Sequence, residues 1–367
     1  MAEAVRVLSV DLERGWRGGE NQVFLLQRGL RELAVPVRST VLCRAGEPLA
    51  RRLADAGLGV EPVRGTLAAL ARMRSLIRRG MVDVLHAHTG RSHGLCLLAA
   101  VGSRIPVVVT RRVDFRVGGG IAGRWKYGPR VARFVAISGA IAGILAEGGV
   151  DPAHITTIPS GVDPARTAAG DGLRARRALD LADDEPVVLC AAALVPHKGH
   201  RHLLAAWAEV ERAVPRAVLL LAGDGELAAE LADQARTLGL TRVRFLGWRE
   251  DVPDLLAASR AFAMTSVEEG LGTALIDAFF AGVPVVATAA GGIPDLVENG
   301  VTGDLLPVGD HGGVARSLVR LLTEPGHGEA TAAAARRRAE ARFHYRAMAS
   351  GYAALYRDLA AEFPARA

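Results

Sequence analysis

Short apolar runs alternate along the chain with longer stretches in which apolar side chains recur every third or fourth position. The runs VRVLSV from Val5, PVRSTVL from Pro36, VDVLH from Val82, IPVVVT from Ile105 and FVAI from Phe134 read as buried strands. Between them, NQVFLLQRGLREL from Asn21 and TLAALARMRSLIRR from Thr66 carry helical spacing. Parallel strands need a crossover and a helix supplies one, so this alternation predicts a doubly wound parallel sheet. The segment SGVDPARTAAGDG, Ser160 to Gly172, has no periodicity and is rich in turn formers, which predicts an interdomain linker. Alternation then restarts with PVVLCAAALV from Pro186, AVLLLAG from Ala217, VRFLGW from Val243, RAFAMTS from Arg260 and VPVVAT from Val283, with helical stretches after each of the first four. The tail RRRAEARFHYRAMASGYAALYRDLAAEF reads as a terminal helical region with a break near Phe343–Tyr345.

Composition supports this picture. A chain of 367 residues exceeds one ordinary domain, and an apolar fraction of 50% with only 5% aromatics suits Ala/Val/Leu helices on parallel strands. Cys43, Cys96 and Cys190 are far apart and form no C-x-x-C pair, so they read as small buried hydrophobes of a reduced compartment. The start, with Glu3, Asp11 and Glu13 around a very short apolar run, does not resemble a secretory signal. The stretch Thr273 to Pro294 is poor in charge but contains Asp277, Gly282 and Pro284, and reads as helix, turn and strand rather than a membrane span. A cytoplasmic protein is expected.

The net charge of +6 is unevenly divided. Residues 1–165 hold 23 Lys/Arg against 13 Asp/Glu, or +10, leaving 22 against 26, or −4, for the remainder. A solvated Arg-rich surface accounts for this, and so does an anionic substrate or membrane surface met by Arg72, Arg74, Arg78, Arg79, Arg111, Arg112 and Arg116. No aromatic-basic interleaving or recognition motif points to nucleic acid.

Three clusters carry candidate chemistry. Gly18-Gly19-Glu20 follows the first strand and opens a helix, where amides and the helix dipole favour a phosphate; a simple turn is the alternative. His197-Lys198-Gly199-His200 stands at the end of the first strand of the second half. Lys198 is one of only two lysines in the chain, the other being Lys126, and its ammonium suits diphosphate oxygens as well as a wet surface. The segment from Ser266 to Thr288 joins a strand end, the acids Glu268 and Glu269, Gly270-Leu271-Gly272, a helix expected near Thr273, and a further strand. Asp277, four residues into that helix, rises only about 6 Å along its axis. One ligand could therefore touch both acids, with phosphate at the helix start, sugar hydroxyls on Glu269 and ribose hydroxyls on Asp277; helix capping alone would also explain Glu269. His86, His88 and His93 suggest a metal site if they converge, a hydrogen-bonded structural pair, or a sugar contact at His88. A D-x-D element is absent from the sequence.

Together with Val82-Asp83-Val84-Leu85-His86-Ala87-His88, Ile158-Pro159-Ser160-Gly161-Val162-Asp163, Ala222-Gly223-Asp224-Gly225, Phe245-Leu246-Gly247 and Gly291-Gly292-Ile293-Pro294, these pieces make the chain resemble the retaining glycosyltransferase family 4 over nearly its whole length. The family's E-x7-E element corresponds to Glu269 through Asp277. The resemblance implies an α/β, GT-B fold: two Rossmann-like domains with parallel sheets facing a central cleft. Residues 1–165 would bind the acceptor, 166–345 the nucleotide-sugar donor, and 346–367 would pack back on the N-terminal domain as a helix.

The function it implies is transfer of a sugar, with retention, from a nucleotide-diphosphate-sugar co-substrate to a glycan or lipid-linked acceptor, anionic in keeping with the charge division. This would serve cell-envelope polysaccharide or lipopolysaccharide synthesis, without metal or other cofactor, at the inner face of the cytoplasmic membrane. The alternatives are a nucleotide-sugar 2-epimerase, which shares the architecture, and a non-catalytic nucleotide-sugar binding protein. By the resemblance, Gly19 and Lys198 meet the diphosphate, Glu269 the transferred sugar, and the Thr273 and Ala274 amides the phosphate, with Gly18, Gly199, Gly270 and Gly272 also among the donor-binding residues. Asp277 would take the ribose, and Trp248-Arg249 would border the base. Glu269, Lys198, Arg112 and His88 would form the catalytic set. Three positions depart from the family pattern: Asp277 is an Asp where Glu is usual, Ala193 replaces an Arg and leaves Arg201 as a substitute, and Arg112 replaces the active-site His of T-x-H. Arg112 is no general base.

Overall fold

The computed structural model describes residues 4–113 and 120–364. Asp114 and Arg116 lie outside the described residues. The chain divides into two units, one made of residues 1–161 and 345–367, the other of Val162–His344.

The first unit is a seven-stranded parallel sheet: β1 (Val5–Asp11), β2 (Val37–Arg44), β3 (Val60–Val63), β4 (Val84–Ala87), β5 (Val107–Arg111), β6 (Arg133–Ala136) and β7 (Ile155–Thr157), in the order β3-β2-β1-β4-β5-β6-β7. Strands β4 and β5 are buried along their whole length, as sheets covered on both faces require. One covering layer pairs the helix Gly18–Glu32 with the terminal helix Tyr345–Glu362, which carries Tyr345, Tyr352 and Tyr356 into the core beside Leu26, Val84 and Val108. The two helices approach closely at Gly29, where a β-carbon would stand 2.6 Å from that of Ala349.

The second unit is a six-stranded parallel sheet of β8 (Val187–Ala191), β9 (Val218–Ala222), β10 (Val243–Gly247), β11 (Ala261–Met264), β12 (Val285–Thr288) and β13 (Asp304–Leu306), in the order β10-β9-β8-β11-β12-β13. Trp207, on the helix His200–Ala213, is fully buried in its core with Leu203, Leu219 and Leu318.

The segment expected as the interdomain linker contains the unit boundary and is built of ordered structure. The unit boundary falls between Gly161 and Val162, four residues before the expected one, and both flanking residues are packed: Gly161 exchanges two hydrogen bonds with the Gln22 side chain, of 2.8 and 3.0 Å. The residues that follow form the short helices Ala165–Ala168 and Gly172–Ala178 of the second unit. Their glycines serve close packing, since β-carbons on Gly170 and Gly172 would stand 2.3 Å and 2.6 Å from the carbonyl oxygens of Pro253 and Ala257. The terminal helical region breaks at Phe343–His344, between helices Glu329–Arg342 and Tyr345–Glu362.

Candidate active site

In each sheet the chain leaves its first strand toward one edge and later returns to build the other, so β1 and β4, and likewise β8 and β11, splay their carboxyl ends around a crevice. Open α/β sheets bind ligands at such switch points. In the second unit Lys198 and Glu269 stand there and form an ion pair, with side chains 19% and 11% exposed. Each is held by its backbone. Lys198 ends a single 3-10 turn, and Gly199 follows at φ +65°, with a β-carbon excluded because it would stand 1.9 Å from the Thr265 carbonyl oxygen. The Glu269 carbonyl accepts from the Gly292 amide at 2.8 Å, and Gly291 passes too close to that carbonyl for a side chain.

The helix after Glu269 spans Thr273–Ala281. Gly272 precedes it at φ +91° without a side-chain cap, which leaves the first-turn amides of Thr273 and Ala274 outside the intrahelical ladder and beside Gly270 and Glu269 in sequence. Asp277, one turn in, is almost fully buried. Its Oδ2 lies 3.9 Å from the Arg166 guanidinium, and its Oδ1 has no hydrogen-bond partner among the described residues. Burial raises its pKa from 3.8 to about 6, against the pull of Arg166. Sequence reading assigned Arg166 to the linker and missed it. The signal it offered was its place just after Val162-Asp163-Pro164, where the second unit begins.

Arg249 is turned to Asp251 in a bidentate pair of 2.8 and 2.5 Å, while the neighbouring Trp248 is 70% exposed. Arg201, expected as one candidate substitute for the family arginine, pairs with Glu230 at 2.7 Å on the surface of its helix. His200 is buried with both ring nitrogens unpartnered among the described residues, and burial lowers its pKa to about 4.

In the first unit Gly18 and Gly19 open the helix Gly18–Glu32, and Glu20 bonds back to the Arg17 amide at 2.7 Å. Neither glycine has a positive φ, and a β-carbon on either would meet nothing within 4 Å. Protein packing therefore gives no reason for glycine here, in contrast to Gly199. Gly19, His88, His93, Arg111, Arg112 and Tyr127 line a cavity of about 400 Å³. Arg112 reaches the His88 carbonyl at 3.3 Å and its Nδ1 at 3.4 Å, whereas His88 Nε2 is buried without a partner among the described residues. Burial, reinforced by His86 and Arg112, holds the His88 pKa well below its ordinary value, so the ring is neutral. Asp11, at the end of β1, is lifted to about 6 by burial, although the Glu13 amide opposes this.

The three histidines do not converge on one point. His86 spends both ring nitrogens inside the core, on Tyr356 at 2.6 Å and Thr110 at 2.7 Å, and Thr110 in turn meets the Tyr352 hydroxyl at 2.7 Å. His93 packs edge-on against Tyr127 and Phe134.

Two doubly wound units, each with a switch-point site, define the two-Rossmann-domain GT-B architecture. Residues 16–166 match the model of Glycosyltransferase Family 4 and residues 185–324 that of Glycosyl transferases group 1, so the chain belongs to the family 4 glycosyltransferases. It is similar to the N-acetyl-alpha-D-glucosaminyl L-malate synthase of Bacillus anthracis, 28% identical over 302 residues that cover 80% of this chain and 79% of that one. It is also similar to the UDP-Gal:alpha-D-GlcNAc-diphosphoundecaprenol alpha-1,3-galactosyltransferase of Escherichia coli, 27% identical over 278 residues, 70% of this chain and 71% of that one. Among solved structures, Anabaena Alr3699/HepE in complex with UDP-glucose superimposes with a TM-score of 0.82 at 25% identity, over 96% of this chain and 99% of that one.

Proposed function

We propose that the chain transfers a sugar from a nucleotide-diphosphate-sugar to a glycan or lipid-linked acceptor, with retention of anomeric configuration, in cell-envelope glycan synthesis. The observation that carries this reading is the Lys198–Glu269 pair at the β8/β11 switch point, with an uncapped helix start directly after it. Attack from the face of the departing diphosphate lets a leaving oxygen take the acceptor proton. The step then requires positive charge on the diphosphate, which the Lys198 ammonium and the Thr273 and Ala274 amides supply without a metal. Glu269 accepts from the sugar hydroxyls. The first unit holds the acceptor, where neutral His88 orients a hydroxyl and Arg112 meets an anionic group. The Anabaena protein was crystallised with UDP-glucose and the E. coli relative is named for a diphosphoundecaprenol-linked sugar, and both favour this donor and acceptor chemistry.

A lipid-linked acceptor favours a peripheral protein at the inner face of the cytoplasmic membrane. None of the described helices is long and apolar enough to cross a membrane. In the first unit Arg78 and Arg104 line a second cavity, of about 470 Å³, together with Phe363, and exposed Met81 and Val101 stand nearby in sequence. Each such arginine near an anionic surface contributes about 1 kcal/mol, reduced by salt.

A thermal-shift panel of nucleotide-sugars, followed by turnover on lipid-linked acceptors in the presence and absence of a chelator, tests the donor and metal parts. NMR of the product anomer tests retention. An inverted product, or activity abolished by chelation, overturns the corresponding part. Flotation with anionic and neutral vesicles tests the surface, and binding indifferent to lipid charge and salt rejects it.

A further inference from the structure

We infer that the Lys198–Glu269 ion pair is a selector that favours the sugar-bearing nucleotide over the bare nucleoside diphosphate; this rests on the donor reading above. The turns that carry both residues are pinned by hydrogen bonds, from the Thr265 hydroxyl to the Gly199 carbonyl at 3.0 Å and from the Gly292 amide to the Glu269 carbonyl at 2.8 Å, so side-chain rotation is enough to part the pair. Among the described residues Lys198 is the one side chain that pairs with Glu269. A diphosphate that takes the ammonium strands the Glu269 carboxylate, 11% exposed, beside new negative charge. A bare nucleoside diphosphate offers nothing in return, because its terminal oxygens are acceptors only. A nucleotide-sugar brings hydroxyls that donate to the stranded carboxylate and satisfy it. The same two residues thus hold the donor firmly and loosen on the spent nucleotide once the sugar has left, without any change of backbone.

Calorimetry with UDP and UDP-glucose, and with GDP and GDP-mannose as a second pair, tests this on the full chain. Glu269→Gln frees Lys198, and its expected effect is to tighten the bare nucleotide about fivefold, which is the scale of one partly exposed ion pair, while weakening the nucleotide-sugar about tenfold. In the Lys198→Ala background the same change leaves bare-nucleotide affinity within about twofold, since no ammonium remains to compete for. Glu269→Asp, which keeps the charge and shortens the reach, leaves the bare nucleotide weak and loses affinity for the sugar form only. The inference is overturned if Glu269→Gln weakens both ligands by one factor. It is equally overturned if the tightening persists without Lys198, which would mark plain repulsion. Wild-type protein that binds neither pair, nor ADP, CDP or dTDP and their sugars, refutes the donor reading itself, and the inference with it.

Discussion

Arg166 stands 3.9 Å from one oxygen of Asp277 while the other oxygen is buried without a hydrogen bond among the described residues. This half-satisfied carboxylate, at the position where the family has a glutamate, is a source of instability in the empty protein. Its pKa is raised from 3.8 to about 6, so the folded state holds the proton more tightly than the unfolded chain. Stability from this group is full below pH 3.8 and is lost as pH rises through about 6. Asp277→Asn is therefore expected to stabilise the protein by about 2 to 3 kcal/mol at pH 7.5 and to change little at pH 4, while weakening nucleotide binding. Melting curves at the two pH values check this; equal effects at both contradict a buried charge.

Gly199→Ala tests the positioning of Lys198. The new methyl would lie 1.9 Å from the Thr265 carbonyl oxygen at a φ of +65°, so the turn must shift. The expected outcome is a loss of about 2 kcal/mol or more in stability together with at least tenfold weaker nucleotide-diphosphate binding. Nucleoside binding, which does not use the ammonium, changes less. Chemical denaturation and calorimetry on the same variant separate the two effects.

Tyr356→Phe removes one partner of His86, a ring with no access to water. Leaving Nδ1 unsatisfied costs about 1 to 3 kcal/mol, and the double variant His86→Leu with Tyr356→Phe is expected to recover part of it. A single variant as stable as wild type would show that the bond is not formed.

Glu32 ties the terminal helix to the first. Burial raises its pKa, yet the Tyr345 hydroxyl, Arg28 and Arg346 outweigh that and lower it from 4.5 to about 2. The contribution is present above pH 4.5 and fades as pH falls toward 2. Because the carboxylate stays in part open to water, Glu32→Gln costs no more than about 1 kcal/mol at pH 7, and wild type and variant converge at pH 2 to 3. Acid-denaturation curves followed by tyrosine fluorescence read this directly.

The strands that hydropathy missed lie at sheet edges, where of four edge strands it revealed only β10. The ten runs read from the sequence each contain a strand, whereas β3, β7 and β13 were not recognised, and all three are sheet edges. An edge strand has one neighbour and little need of a long apolar run, and these are three or four residues with Glu61-Pro62, Thr156-Thr157 or Asp304 in them. In the site, Lys198, Gly199, Glu269 and the helix start were legible because local spacing and a rare lysine marked them. Arg166 was not, since it meets Asp277 from more than a hundred residues away in sequence through the fold of the second unit. The bonds of His86 were hidden for the same reason: Tyr352 and Tyr356 arrive from the far end of the chain.

That far end also sets an order of assembly. The second unit is one continuous stretch whose first and last residues, Val162 and His344, are bridged to each other, with the Val162 amide bonded to the Phe343 carbonyl at 2.8 Å. It can close as soon as residue 344 leaves the ribosome. The first unit cannot, because three of its largest buried rings belong to Tyr345, Tyr352 and Tyr356. The half synthesised first therefore completes its core last, and a chain that stops short at residue 344 would keep a finished second unit and an N-terminal sheet with half of one covering layer missing.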